Sequence, residues 1–180
     1  MKLIILDRDG VINHDSDAYI KSAEEWHAIA GSPEAIGRLT RAGWRVVVAT
    51  NQSGVARGLF SAQELNRIHG KMRQEVAAAG GRIDAIFACP HHPDDACPCR
   101  KPRPGMFHDI ARRYDQPLAG VPAIGDSLRD LHASTETGCQ PWLVLTGNGL
   151  RARQHPDLPP DTQIRSNLAA VVDSLLTGDA

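Results

Sequence analysis

Leu3-Ile4-Ile5-Leu6 runs straight into Asp7-Arg8-Asp9-Gly10. A short continuous apolar run bounded by a turn signal predicts a strand buried on both faces, the kind found in a parallel sheet. Burying an unpaired charge is costly, so a strand of this type does not end in two carboxylates without a use for them. In open α/β sheets the ligand crevice lies just beyond the carboxyl ends of the strands. Asp7 and Asp9 are therefore placed at the lip of such a crevice. Gly10 lets the chain turn away there and leaves room for a ligand.

Downstream the chain alternates helical and strand patterns. Ser32-Pro33-Glu34 reads as a helix start, with Ser32 as N-cap and Pro33 at the first helical position. Ala35, Ile36, Leu39 and Ala42 form its apolar stripe, and Gly43 ends it. Residues 44–49 predict a second buried strand, ending in Thr50-Asn51-Gln52-Ser53-Gly54. Ser61 and Glu64 make a capping box for a helix with Leu65, Ile68, Met72, Val76 and Ala79 on one face. Ile83, Ile86 and Phe87 mark a third strand before a cysteine-containing loop at 89–99, and residues 104–114 read as a helix. A fourth strand over 121–126 ends in Asp126, which is also placed to cap the helix predicted over 128–137. Residues 142–146 give a fifth strand, 147–161 a loop, and Asn167 caps a last helix. This is the pattern of an α/β fold: a three-layer, Rossmann-like parallel sheet with helices on both faces. A chain of 180 residues without an interdomain linker is read as one domain, 1–180, with no large cap insertion.

Parallel strands put their polar tips at one end. That end collects Asp7 and Asp9, Thr50 and Asn51, Lys101 and Asp126. Carboxylates from separate strands suit a hard cation such as Mg²⁺. A hydroxyl and a lysine can steady phosphate oxygens, and a carboxylate beside a metal can attack phosphorus. The first expectation is a metal-assisted phosphoryl-transfer site. Cys89, His91, Cys97 and Cys99 offer three thiols and one imidazole, a closed ligand set for structural Zn²⁺. Such a zinc-braced loop leads directly into Arg100 and Lys101. Cys139 reads as a small buried apolar residue. His14, His27, His69, His108, His132 and His155 have no partner legible in the sequence, and Arg103 reads as surface charge.

Composition narrows the classes. A net charge of −1 and 4% aromatic residues argue against a nucleic-acid module. No apolar run spans a bilayer, and the apolar N-terminal run stops too early for a signal peptide, so a cytoplasmic protein with no membrane partner is expected.

Asp7-Arg8-Asp9-Gly10, Thr50-Asn51, Lys101-Pro102 and Gly125-Asp126-Ser127-Leu128-Arg129-Asp130 occur in the order found in the haloacid dehalogenase-like phosphatases, which the chain resembles. Residues 50–58, Cys89-Pro90-His91-His92-Pro93 and residues 97–106 are similar to the D-glycero-D-manno-heptose 1,7-bisphosphate 7-phosphatases within that group. The resemblance implies Asp7 as nucleophile, and Asp9 as the acid and then the base. Thr50 and Lys101 would stabilise the transferring phosphoryl group. Asp7, Asp126 and the Asp9 carbonyl would hold Mg²⁺, with Asp130 in support. It further implies a sugar bisphosphate bound by Asp15, Ser16, Asp17, Ala18, Asn51, Gln52, Ser53 and Arg100. Arg57 joins Arg100 in a basic group read as a further substrate contact, and a monomer is expected. The short zinc loop, with only His92 to Ala96 between its halves, also resembles the histidinol-phosphate phosphatases. A receiver-like phosphoacceptor domain is the non-enzymatic alternative, and Asp9 speaks against it, because an adjacent acid/base shortens the life of an acyl phosphate.

Overall fold

The computed structural model describes residues 1–178. Six strands form one parallel sheet in the order β3-β2-β1-β4-β5-β6. They are β1 (Leu3–Leu6), β2 (Arg45–Asn51), β3 (Ala85–Cys89), β4 (Pro122–Gly125), β5 (Gln140–Val144) and β6 (Gln163–Arg165). The helices are α1 (Ser32–Arg41), α2 (Ala62–Ala78), α3 (Gly105–Tyr114), α4 (Leu128–Glu136), α5 (Gly149–Arg153) and α6 (Leu168–Thr177). The strand order reverses at β1, with β2 on one side and β4 on the other. That is the switch point at which such sheets open a crevice.

The two faces of β1 explain the three layers. Ile4 and Leu6 pack with Ile36, Ile68, Met72 and Val171 from α1, α2 and α6. Leu3 and Ile5 point the other way, onto Met106, Phe107, Ile110 and Ala133 of α3 and α4. This is period-two alternation with both faces covered. Each such aliphatic side chain contributes roughly 1.5–3 kcal/mol on burial. Register then sets the site. Leu6 lies level with Val48 of β2 and Ile124 of β4, so Asp7 emerges beside the ends of both neighbours. No helix among the described residues is long and apolar enough to cross a membrane.

Several local expectations change. Ser32 is not the N-cap of α1. Gly31 takes that place in the left-handed region (φ 85°), and the Ser32 hydroxyl donates to the Val11 carbonyl at 2.9 Å. Asp126 does not cap α4. Ser127 does, in a capping box with Asp130. Ser61 caps α2 by accepting from the Glu64 amide, while the Glu64 carboxylate pairs with Arg67. The segment predicted as a loop over 147–161 contains α5, and β6 is a sixth strand where five were expected. Segment 13–30 is irregular as expected but anchored: Trp26 is fully buried, and the Lys71 ammonium of α2 donates to the carbonyls of Ala23 (2.9 Å) and Trp26 (2.7 Å).

Candidate active site

The tips of β1, β2 and β4 and the segment after β3 open onto one cavity of about 210 Å³. Asp7 follows β1 with its Oδ1 held by the Arg8 amide (2.7 Å) and by the Lys101 ammonium (2.9 Å). Oδ2 accepts from neither. Lys101 is 2% exposed, and it also donates to Asp130 at 2.6 Å and to the Ala49 carbonyl at 2.7 Å. Asn51 grips the Lys101 backbone at both ends. Its Oδ1 accepts from the Lys101 amide (3.1 Å), and its Nδ2 donates to the Lys101 carbonyl (3.0 Å).

Asp126 extends from β4 toward Asp7. Its Oδ2 accepts from the Asn148 amide at 2.8 Å and from the Asn148 side chain at 3.2 Å. Two glycines make room for it. A Cβ on Gly10 would lie 2.1 Å from Asp126 Oδ2, and one on Gly147 2.2 Å from the same oxygen. Both also have positive φ, so any other residue there is excluded twice over. Thr146 completes the arrangement, its hydroxyl donating to the Gly10 carbonyl at 2.6 Å. The loop after β5 is thus part of the site, and sequence reasoning missed it, because Thr146-Gly147-Asn148 carries no charged signature.

The electrostatics of this cluster are strained by like charge. Burial, then the Asp130 carboxylate, push the Asp7 carboxyl well above the usual carboxylate range, against the pull of Lys101. The same two causes push Asp126 up to about 7. Burial also works against ionisation of Asp130, but Lys101 and Ser127 outweigh it and hold that carboxyl low. One buried ammonium therefore faces three carboxylates that offer oxygens within 4.8 Å of one another. A hard divalent cation matches both the donor type and the excess negative charge.

Asp9 is built differently. Its carboxylate accepts from Arg8 (2.9 and 3.1 Å to Nη2, 3.1 Å to Nε), from Asn13 (2.9 Å) and from Gln52 (2.8 Å). Burial raises its pKa, but Arg8, Asn13 and Gln52 together hold the carboxyl below the ordinary range. Gln52 Nε2 also donates to the Thr50 hydroxyl at 2.9 Å, tying the second strand tip to the first. Arg8 in turn reaches His69 Nε2 at 3.3 Å. Burial, and then Arg8, push His69 down to about 3, so its ring is neutral. His69 was without a partner in the sequence because its partner is sixty-one positions away.

Of the residues expected to contact substrate, Asp15, Ser16, Asn51, Gln52, Ser53 and Arg100 line the cavity. Asp17, Ala18 and Arg57 do not; all three are exposed side chains outside its lining. Gln52 and Asn51 also have polar atoms committed to Asp9, Thr50 and Lys101, which makes them braces of the site. Tyr19, Arg129 and Asn148 line it without having been singled out. Arg100 has its Nη1 buried with no hydrogen-bond partner in the protein.

A second cluster brings together Cys89, His91, Cys97 and Cys99. The three sulfurs lie 3.2–3.5 Å apart, and His91 Nδ1 is 3.2 Å from Cys99 Sγ and 3.6 Å from Cys89 Sγ. Cys89 is the last residue of β3 rather than a loop residue. Arg103 Nη1 donates to the Cys97 carbonyl at 2.9 Å, so it pins this loop and is not free surface charge.

A family model described as HAD-hydrolase-like matches residues 98–175, and one described as polynucleotide kinase 3 phosphatase matches residues 2–126. D-glycero-beta-D-manno-heptose-1,7-bisphosphate 7-phosphatase of Bordetella bronchiseptica is 62% identical over 176 residues, 98% of each chain. The enzyme of that name from Pseudomonas aeruginosa is 52% identical over 174 residues, 97% of each chain. The crystal structure of the B. bronchiseptica D,D-heptose 1,7-bisphosphate phosphatase with magnesium and phosphate covers 99% of both chains with a TM-score of 0.98. Identity of that extent places this chain in a family: it belongs to the D-glycero-beta-D-manno-heptose-1,7-bisphosphate 7-phosphatases, a branch of the HAD-like phosphatases.

Proposed function

We propose that this chain removes the 7-phosphate of D-glycero-β-D-manno-heptose 1,7-bisphosphate through an aspartyl-phosphate on Asp7. The observation that carries this reading is the likeness to the B. bronchiseptica phosphatase, whose structure holds magnesium and phosphate. Asp7 attacks phosphorus with the oxygen that Lys101 and the Arg8 amide leave open. Lys101 and Thr50 offset charge on the transferring phosphoryl group. Asp9, whose carboxyl is held low before substrate binds, takes up a proton as the approaching substrate dianion raises its pKa. It gives that proton to the departing sugar oxygen and later takes one from water. Asp7, Asp126 and the main-chain carbonyl of Asp9 would hold Mg²⁺, with Asp130 supporting through Lys101. That cation would neutralise phosphate charge and orient the group for in-line attack. The unpartnered Arg100 Nη1 at the cavity wall suits the second dianion of a bisphosphate. Asp15 and Ser16 at the rim complete the substrate contacts.

The short metal loop also resembles that of the histidinol-phosphate phosphatases, so histidinol phosphate is the alternative substrate, and one experiment separates the two. Loss of charge-assisted bonds to the second phosphate weakens binding about tenfold to hundredfold. We expect kcat/KM for the β-bisphosphate to exceed that for histidinol phosphate by at least that factor, and to exceed that for the α-anomer. A preference for histidinol phosphate sinks the heptose assignment.

Zn²⁺ is the second metal we assign, to Cys89, His91, Cys97 and Cys99. Four soft ligands around one point with no fifth position suit a structural site, whose ligand atoms stand about 3.5–3.8 Å apart. Burial and the Cys89 and Cys97 sulfurs push the Cys99 thiol up to about 12. Thiolates so crowded need a cation. The role is mechanical: the loop carries Arg100 and Lys101 to the cavity. The purified protein should retain one equivalent of zinc through dialysis. Cys97→Ser should lose it, with a lower Tm and a raised KM through misplaced Arg100. Full activity in zinc-free protein contradicts the assignment.

A further inference from the structure

The buried face of α2 is apolar except at one position. Leu65, Ile68, Met72 and Val76 pack into the core, and His69 beside them is 8% exposed. A polar ring in that setting needs a partner, and it has one. Arg8 is 1% exposed, and its Nη1 lies 3.3 Å from His69 Nε2. A guanidinium only donates, so Nε2 must be the accepting nitrogen and the ring proton sits on Nδ1. Arg8 uses its remaining edge on Asp9, with Nε and Nη2 gripping both carboxylate oxygens. The imidazole therefore fixes the far side of the fork whose near side aims Asp9. Asn13 and Gln52 hold the same carboxylate from two other directions. A group that must reach a leaving oxygen cannot tolerate much play, since a displacement of about 1 Å costs on the order of a hundredfold in rate.

We propose that His69 is a positioning residue for Asp9, acting through Arg8 from the core side of α2. This rests on the reading of Asp9 as general acid. His69 touches no substrate and moves no proton. It keeps Arg8 from turning, and so keeps the Asp9 carboxylate aimed at the bridging oxygen while Asp7 attacks.

The test uses leaving groups. Protonation of the departing oxygen matters for a sugar alkoxide and hardly at all for p-nitrophenolate, which leaves as the anion. kcat/KM reports the step that forms the aspartyl-phosphate, so comparing the two substrates isolates the acid. In His69→Leu we expect kcat/KM for the heptose bisphosphate to fall about tenfold to hundredfold, within the range a positioned general acid supplies. The value for p-nitrophenyl phosphate should change less than about threefold. His69→Gln retains an acceptor and should recover most of the loss. If His69→Leu fails to fold, Arg8→Lys keeps the buried charge beside Asp9 but lacks the arm that reaches His69, and it should show the same selective loss. Equal losses on both substrates, or none on either, overturn the proposal. Asp9→Asn is the control for the underlying reading. If it too fails to distinguish the substrates, Asp9 is not the acid. If it distinguishes them and neither His69→Leu nor Arg8→Lys does, the acid reading stands and the role of His69 falls.

Discussion

Asp7→Asn is expected to lose at least about 10⁴-fold in kcat on any phosphate monoester, because an amide cannot form the covalent intermediate that divides the reaction into two easier steps. The loss should be nearly independent of leaving group, unlike that of Asp9→Asn. Stability should move the other way. Burial and Asp130 hold the Asp7 carboxyl well above its usual range. A carboxyl whose folded pKa is raised contributes stability that is lost as pH rises through that value. In Mg²⁺-free protein near neutral pH, a neutral isostere at position 7 therefore relieves repulsion. Its Tm should equal or exceed the wild-type value. An acid quench during turnover of wild type should show a phosphoryl group on the peptide carrying Asp7, absent in the variant. Turnover by Asp7→Asn at the wild-type rate would end the assignment of the nucleophile.

The parts of this site that were legible in the sequence sit directly on strand ends. Asp7, Thr50 and Asp126 follow apolar runs, so period and chain direction alone place them at one lip. Lys101 came with them through the motif order, although β3 ends twelve residues earlier, at Cys89. The pieces that stayed hidden are held by tertiary geometry. Asn148 matters because its amide meets Asp126, and Thr146 because its hydroxyl meets Gly10. Neither residue type is rare at a turn, so nothing local distinguishes them. Asn51 and Gln52 lay in a recognisable string, but the string does not say where a side chain points. Arg57 lies in the same string and ends up in solvent. Strand β6 was missed because its three residues are only half-buried and lack the apolar run that marked the others. Ser32 showed a good N-cap residue before Pro33, yet its hydroxyl found a better acceptor across the fold, on Val11.

Replacing Lys101 tests the balance on which the rest of the cluster depends. Its ammonium is the one buried cation among Asp7, Asp126 and Asp130, with the Ala49 carbonyl as its remaining partner. Lys101→Met keeps the length and apolar stem of the side chain and removes the charge. Breaking a buried ion pair from one side costs about 3–5 kcal/mol, because the partner is left uncompensated. In a chain of this size that is a Tm drop of about 6–20 °C. The pH dependence identifies the cause. In the wild type, Lys101 helps hold the Asp130 carboxyl low despite burial. That pairing contributes stability above the unfolded carboxylate pKa, and the contribution fades as pH falls through the lower folded value. Without Lys101 the carboxyl is left with burial and like charge, its folded pKa rises, and the sign reverses. Lys101→Met should be more stable at pH 5 than at pH 8. Mg²⁺ should raise its Tm more than it raises that of the wild type, since an added cation meets a larger deficit. Turnover should fall about 10²–10³-fold even at saturating Mg²⁺ if, as proposed, the ammonium also offsets charge that develops on the phosphoryl oxygens. Thermal denaturation at two pH values, with and without Mg²⁺, reads the first three, and a turnover assay reads the fourth. A variant with wild-type Tm and an unchanged response to Mg²⁺ would mean that Lys101 does not balance this charge, and the account of the cluster would fail with it.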